Sequence, residues 1–259
     1  MKYILTKYIT VFLLLFNIIS CSKKNDVPKG TASLTIINAV PGSNKLVTNF
    51  SDSYSLNGRY IFANAITYNV FYGLNQVFSS YSGTQKLVLY QFPDTLPKSI
   101  PLFDLTLNLP IASINTLFLT GTVNAPDTLF TTDQPPYHST SDSVTGIRFV
   151  NLSPGSAPIS VNIQGQADGS EINALPYKKI TAFKNYAANS VISSYTFEFK
   201  DAATGALLGT YTATGINNDG TDPGTSTNEW RFRNSTLVFL GLPNETGELG
   251  QSVLLINNY

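Results

Sequence analysis

The chain is poor in the side chains that do chemistry. It has one cysteine, Cys21, one histidine, His138, and one tryptophan, Trp230, in 259 residues. A single cysteine excludes an intrachain disulfide. A single histidine excludes zinc sites built on several histidines. His138 sits in the linker-like run Asp133-Gln134-Pro135-Pro136-Tyr137-His138-Ser139-Thr140. No Ser-His-Asp or Cys-His centre can therefore be assembled inside a domain. Charged residues make up only 12%, against the usual quarter. Lys and Arg form no cluster, so nucleic acid is not an expected partner. Convincing helical periodicity is missing, and no apolar run of spanning length follows the first twenty residues.

Those first twenty residues have the pattern of an export signal. Lys2 and Lys7 give a positive start, Thr10 to Ile19 form a short apolar core, and Ser20 is small. Ile18-Ile19-Ser20-Cys21 resembles a bacterial lipobox, with Ile19 where Ala, Gly or Ser is commoner. The expectation is a signal peptide over 1–20, an acylated (palmitate-bearing) Cys21, and a polar tether over 21–31. Acyl chains hold to a membrane at about 0.8 kcal/mol per buried methylene. This places the protein in the cell envelope, as an outer-membrane lipoprotein facing the surface or the periplasm. Without residues 1–20, which carry two lysines and no acid, the formal balance of zero becomes a net −2.

What is abundant is β-forming. Leu102, Leu105, Leu107 and Leu109 surround Asp104, Thr106 and Asn108 in near-alternation, and Tyr195, Phe197 and Phe199 alternate with Thr196, Glu198 and Lys200. Period two puts one face in and one out. Turn signals recur at Pro41-Gly42, Asn57-Gly58, Ser82-Gly83, Pro154-Gly155, Asp219-Gly220 and Pro223-Gly224. The chain also repeats itself. Leu34 to Ser43 reads LTIINAVPGS and Ile147 to Ser156 reads IRFVNLSPGS, an offset of 113 that also joins Asn49 to Asn162. Ser79-Ser80-Tyr81 matches Ser193-Ser194-Tyr195, and Thr116-Leu117 with Gly121 matches Thr236-Leu237 with Gly241. Copies of this size are duplicated domains. The expectation is all-β: two tandem immunoglobulin-like β-sandwiches over 32–133 and 144–259, joined by a linker over 134–143. Pro and Gly end a strand, and the matched Asn can bond the turn's own backbone.

At these residues the chain resembles the domain-of-unknown-function family numbered 4397, found in exported bacterial proteins and often in tandem. Its members begin with a strand ending in Asn or His before Ser-Pro-Asp or Pro-Gly, as in Leu34–Ser43 and Ile147–Ser156. An apolar-Tyr-x-x-apolar-Thr-x-aromatic segment follows, as in Leu175 to Phe183, of which the first copy keeps Ile66-Thr67-Tyr68. The resemblance implies a β-sandwich and implies no activity and no catalytic residues.

Candidate sites are few. Tyr54, Tyr60, Tyr68 and Tyr72 crowd one stretch and could stack on sugar rings, or fill a core or an interface. Trp230, flanked by Arg231 and Arg233, stands either on a binding face or in the core. Asp104 and Glu198 are the carboxylates to consider for glycoside hydrolysis, although Glu198 beside Lys200 reads as a solvated charge. Asn217 to Asp222 loosely echoes a calcium loop without its bidentate Glu at the proper distance, unless Glu229 reaches it, which leaves calcium open there; turns rich in Asp, Asn and Gly are common without metal, and no metal and no cofactor is assigned. Asp94-Thr95-Leu96, Asp127-Thr128-Leu129 and Asp142-Ser143-Val144 resemble O-glycosylation acceptors at Thr95, Thr128 and Ser143 in loop-like contexts. Together these features point to a lipid-anchored, non-enzymatic binding or adhesion module with a glycan or an envelope protein as partner. The alternative is an accessory subunit of an envelope complex, and a carboxylate hydrolase ranks last.

Overall fold

A computed structural model describes residues 30–50, 65–73, 76–94, 99–218 and 228–258. The signal, Cys21, most of the tether, Tyr54, Tyr60, Thr95 and residues 219–222 of the Asp-rich loop lie outside the described residues. Among the described residues no helix is long and apolar enough to cross a membrane.

Among the described residues the first repeat has eight strands: β1 (Thr31–Asn38), β2 (Lys45–Asn49), β3 (Ala65–Thr67), β4 (Val77–Tyr81), β5 (Gly83–Gln91), β6 (Phe103–Leu109), β7 (Ile114–Thr122) and β8 (Ala125–Asp133). One sheet runs β4-β1-β7-β8 and the other β3-β2-β5-β6. The second repeat follows with β9 (Val144–Asn151), β10 (Ile159–Ile163), β11 (Ile172–Leu175), β12 (Lys179–Ile180), β13 (Lys184–Ala187), β14 (Ser194–Asp201), β15 (Leu207–Thr214), β16 (Asn234–Leu240) and β17 (Ser252–Asn257). Its sheets run β12-β9-β16-β17, with β13 also on β9, and β11-β10-β14-β15. The two repeats share one topology. β1 lies parallel to β7 and β9 parallel to β16, while all other pairs are antiparallel. The parallel pair is possible because each chain crosses between sheets before returning beside its first strand.

Alternation fixes which face is buried. Phe103, Leu107 and Leu109 of β6 face Leu34, Ile36, Leu87, Leu89, Leu117 and Leu119 inside the first sandwich. Phe197 and Phe199 of β14 meet Phe149, Leu237 and Phe239 inside the second. There Phe149 stands edge-on to Phe197 at 5.4 Å, and Phe199 stacks on Phe239 at 5.6 Å.

The matched asparagines are the knots of each repeat. Asn38, fully buried, donates to Ser43 Oγ (2.9 Å) and Ile66 O (3.2 Å), and its Oδ1 accepts from Val40 N–H (3.1 Å). Asn151 repeats this with Ser156 Oγ (3.2 Å), Leu175 O (3.0 Å) and Ser153 N–H (3.1 Å). Each therefore ties the end of the first strand to its own turn and to the third strand. Gly121 and Gly241 are also equivalent. Both have positive φ, and a Cβ would meet Ala125 O at 2.2 Å or Gly250 O at 2.1 Å. One sequence match does not survive. Ser79–Tyr81 lies in β4, beside β1, whereas Ser194-Tyr195 lies in β14, beside β10 and β15. The shared Ser-Ser-Tyr is a coincidence of composition.

A third cluster joins the repeats. Ile37, Ala39 and Phe118 from the outer face of the β1–β7 sheet pack on Val150, Leu152, Val238 and Leu240 of the β9–β16 sheet. Four sheets thus stack, and the two inner ones are covered on both faces. That is why β16 is buried at every position and reads as a continuous run rather than an alternating one. Thr120 Oγ1 donates to Leu152 O (3.0 Å), and Thr116 and Arg148 share Asp133 four residues earlier in each strand. β9 therefore runs alongside β7 in the same direction. Both Asn-x-x-Pro-Gly turns point to one end, here the turn end, and Thr31 begins at the other, the entry end.

The linker is fastened at the entry end. His138 is buried, with Nε2 2.9 Å from Asn234 Oδ1, and the Asn234 amide donates to Pro136 O (2.9 Å). Gly146 makes room, since a Cβ there would lie 2.1 Å from Asn234 Oδ1 and 3.1 Å from His138 Nε2.

Candidate functional site

Loops on a rigid β scaffold carry function more often than the scaffold does. The described loops of the turn end leave two adjoining clefts that share Asn44, a residue held at φ 54°. The larger, ≈ 570 Å³, lies between the β1–β2 turn, the β5–β6 connection and the β7–β8 turn. Its walls mix apolar Phe92, Pro93, Ile100, Pro101 and Val123 with polar Asn44, Gln91 and Asp94. Ile100 is 88% exposed. Gln91 is braced by a hydrogen bond from Nε2 to Gly42 O (3.2 Å).

The second cleft, ≈ 390 Å³, runs from Asn44 and Lys45 past Tyr68 and Asn69 to Glu248 of the other repeat. Tyr68 follows β3 and packs its ring on the cluster between the repeats. Its hydroxyl is buried without a partner. Burial, and then the nearby Glu248 charge, push the phenol up to about 12, so it stays a neutral O–H. Asn69 reaches across to Ser252 Oγ (3.1 Å). The equivalent turn of the second repeat reaches back, with Tyr177 OH 3.2 Å from Thr120 Oγ1 and the Lys178 ammonium 2.7 Å from Asp127. Asn69 and Lys178 both have positive φ. The two turns are one device used twice.

The remaining sequence candidates separate. Tyr72 is 74% exposed on the β3–β4 connection, at the same end as Tyr68. Trp230 belongs to the core and is corrected accordingly: it is 6% exposed, its indole N–H donates to Thr214 O (2.9 Å), and its ring meets Tyr211 edge-on. Of the two readings of its run, burial wins because the indole finds both apolar neighbours and an acceptor. Thr128 is likewise corrected, since it lies within strand β8 and not in a loop. Its neighbour Asp127 is committed to Lys178, which with the Thr128 N–H outweighs partial burial and holds the carboxyl low. Ser143 does lie in a connection, at φ 41°, with its carbonyl accepting from Ala188 N–H (2.7 Å).

Asp104 and Glu198 do not form a pair. Asp104 is on β6 and Glu198 on β14, the two outer sheets of the stack. With sheets about 10 Å apart, two intervening sheets put them roughly 30 Å from one another, far beyond the separation at which two carboxylates act on one bond. Asp104 pairs with Lys86, and Glu198 accepts from Asn162 (2.8 Å) and Lys200. The Asn162 bond and then Lys200 hold Glu198 below the usual range, as for a solvated charge. No group of three His, Cys, Asp or Glu among the described residues could hold a metal ion.

No family model matches this chain, and no curated protein matches its sequence. Among solved structures, it is similar to a family 41 carbohydrate-binding module from streptococcal virulence factors, described in alpha-glucan recognition, at 10% identity and a TM-score of 0.25 over 86% of this chain and 96% of that one. It is also similar to a candidate adhesin from Bacteroides ovatus, at 11% identity and a TM-score of 0.23 over 92% of this chain and 98% of that one.

Proposed function

We propose that this chain is a lipid-anchored envelope protein that binds without catalysis, using the turn-end groove that Asn44 joins into one surface. The observation that carries the reading is the position of that groove. It opens at the turn end of the double sandwich, where connections of the first repeat meet Glu248 of the second around Asn44. Apolar walls, Tyr68, exposed Tyr72 and a few amide and carboxylate groups suit a neutral polymer such as a glycan, which offers both ring faces and hydroxyls. The resemblance to the family numbered 4397 agrees with a tandem sandwich and adds no activity. The O-glycosylation reading of Ser143 stands as part of the same proposal, because that residue lies in a connection open to modification.

The test is a glycan-binding screen with the chain from Ser22 onward, repeated with Tyr72→Ala and Ile100→Ala. Binding weakened about tenfold by each variant, the loss of one good contact, supports the groove. Binding that both variants leave unchanged refutes it. Absence of any glycan ligand, together with an envelope protein that copurifies at fixed stoichiometry, moves the chain to the accessory-subunit reading. Cys21→Ser should release the protein from membranes, and retention would refute the anchor.

A further inference from the structure

β8 is a long strand with one side open. It is the last strand of the sheet β4-β1-β7-β8 and pairs with β7 along its whole length. In an antiparallel pair every second residue turns its N–H and C=O away from the partner strand. On β8 that set is Thr128, Phe130 and Thr132, because the Thr128 N–H turns from β7 to Asp127 Oδ1 (2.7 Å). Phe130 is 37% exposed, and Thr132 is exposed as well. Edges of this kind are normally covered, or broken by charge or proline. Pro126 and Asp127 do this toward the turn end, but Thr128-Leu129-Phe130-Thr131-Thr132 has neither, and its residues suit a strand. The second repeat treats the same edge differently. There β17 stands in place of β8 and lies against β15 of the facing sheet. A Cβ on Gly209 of β15 would lie 3.7 Å from Val253 of β17. Among the described residues no contact of that extent joins β6 to β8.

We propose that β8 pairs with β8 of a second copy of the chain, antiparallel about a two-fold axis at Phe130, so that the β4-β1-β7-β8 sheet continues across both copies. A two-fold contact requires a surface that complements itself, and this register meets the requirement. Phe130 stands opposite Phe130, and Thr128 opposite Thr132. The Phe130 N–H donates to the Phe130 carbonyl of the other copy, and the Thr132 N–H to the Thr128 carbonyl, each twice by symmetry. The Thr128 N–H keeps its bond to Asp127. Aromatic pairs and Thr–Thr pairs are favourable across strands. Asp127 meets Asp133 across the axis, but Lys178 and Arg148 already balance these carboxylates. A register two residues nearer the turn end would set Pro126, which has no N–H, against Thr132. The pairing depends neither on the turn-end groove nor on the lipid anchor.

The experiment is oxidative cross-linking of the full chain in detergent, with Cys21→Ser in every variant so that the added thiol is the only one. In Phe130→Cys the two thiols face each other with Cα atoms about 5.5 Å apart, within reach of a disulfide. Linked dimer should form roughly tenfold faster than from Thr128→Cys or Thr132→Cys alone, whose like positions stand about 13 Å apart across the axis. A mixture of Thr128→Cys and Thr132→Cys should link, since those positions face each other, and it keeps the idea falsifiable if Phe130→Cys does not fold. Sedimentation of the Cys21→Ser chain should show a monomer–dimer equilibrium. Phe130→Lys, which sets like charges on the axis, should shift it to monomer with the circular dichroism unchanged. Linking of Phe130→Cys no faster than of the two single threonine variants overturns the proposal and leaves the edge to a different partner. Faster linking of either threonine variant alone means another register, and a dimer that Phe130→Lys leaves intact means another surface; each overturns it.

Discussion

Replacing Asp133 with alanine should be among the most damaging single changes in this protein. The side chains of Arg148 and Asp133 are 6% and 3% exposed, so the guanidinium would lose its counter-charge out of reach of bulk water. The hydroxyls of Thr116 and Thr131 would lose their acceptor as well. Breaking one side of such a pair costs about 3–5 kcal/mol. That is a large share of the roughly 5–15 kcal/mol by which a domain is stable, and for a chain of this size it lowers the melting midpoint by about 6–20 °C. Asp133→Leu combined with Arg148→Met should recover most of the loss, to within about 1–2 kcal/mol of the parent, since apolar side chains of similar volume can replace a buried pair. Urea unfolding gives the values. Trp230 is the only tryptophan and sits in the core of the second sandwich, so its fluorescence follows that repeat alone, while far-ultraviolet circular dichroism follows both. In the parent the two signals should coincide, because the inner sheets share a core. In Asp133→Ala, with the contact between repeats weakened, they should separate. An Asp133→Ala cost below about 1 kcal/mol, or a double variant as unstable as the single one, would refute the reasoning.

Tyr68→Phe removes a buried hydroxyl that has no partner and should stabilise the fold by about 1 kcal/mol in the same denaturation assay; a loss of that size would mean the hydroxyl is satisfied. Tyr68 also sets an alkaline limit. Its folded value, about 12, is above the ordinary 10.0, so its contribution is complete below pH 10.0 and is lost as pH rises through about 12. Stability measured across that window should fall less steeply in Tyr68→Phe. Gly121→Ala and Gly241→Ala each force a Cβ onto a backbone oxygen at positive φ and should cost more than about 1 kcal/mol each, whereas Gly155→Ala, with open space around its Cβ, should show the smaller penalty of φ alone. Equal losses at all three positions would remove the steric part of the argument.

The legible parts of the fold were those where one physical rule acts alone. Alternation in β6 and β14 gave the buried face directly, because those strands belong to outer sheets with one wet side. The Asn-x-x-Pro-Gly match located the end of the first strand in both repeats, because the Asn amide has a fixed set of partners in its own turn. Trp230 was ambiguous because a flanking Arg reads as a surface signal. The structure shows Arg231 using its Nε–H on Ala188 O (2.6 Å) in the turn before β16, so a charged neighbour need not mean an exposed residue. The turn-end groove was only partly visible. Tyr68 and Tyr72 stand out in the sequence, but Phe92 and Ile100 come from the β5–β6 connection and Glu248 from the β16–β17 connection, which nothing in the local sequence brings together.

The packing of the two repeats had a signal that alternation, as a rule, is blind to. In β1, β7, β9 and β16 the apolar residues do not alternate: Ile36-Ile37, Leu117-Phe118-Leu119, Phe149-Val150 and Leu237-Val238-Phe239-Leu240 are runs. A run in a strand means burial on both faces, and each of these strands has one face in its own sandwich and the other against the sister repeat. The same strands occupy the same positions in both copies, so the surfaces that meet are equivalent, as in a two-fold dimer. Such a pairing leaves each repeat on its own with an uncovered apolar sheet. The differences between the copies then fall where symmetry no longer needs to hold. Thr120 gives Tyr177 a partner, while the matching position, Leu240, offers Tyr68 none. Thr35 becomes Arg148, with its spare donor. At these two positions the departure of one copy from the other leaves a buried polar atom without a partner, whereas apolar exchanges such as Ile37 for Val150 and Phe118 for Val238 leave none.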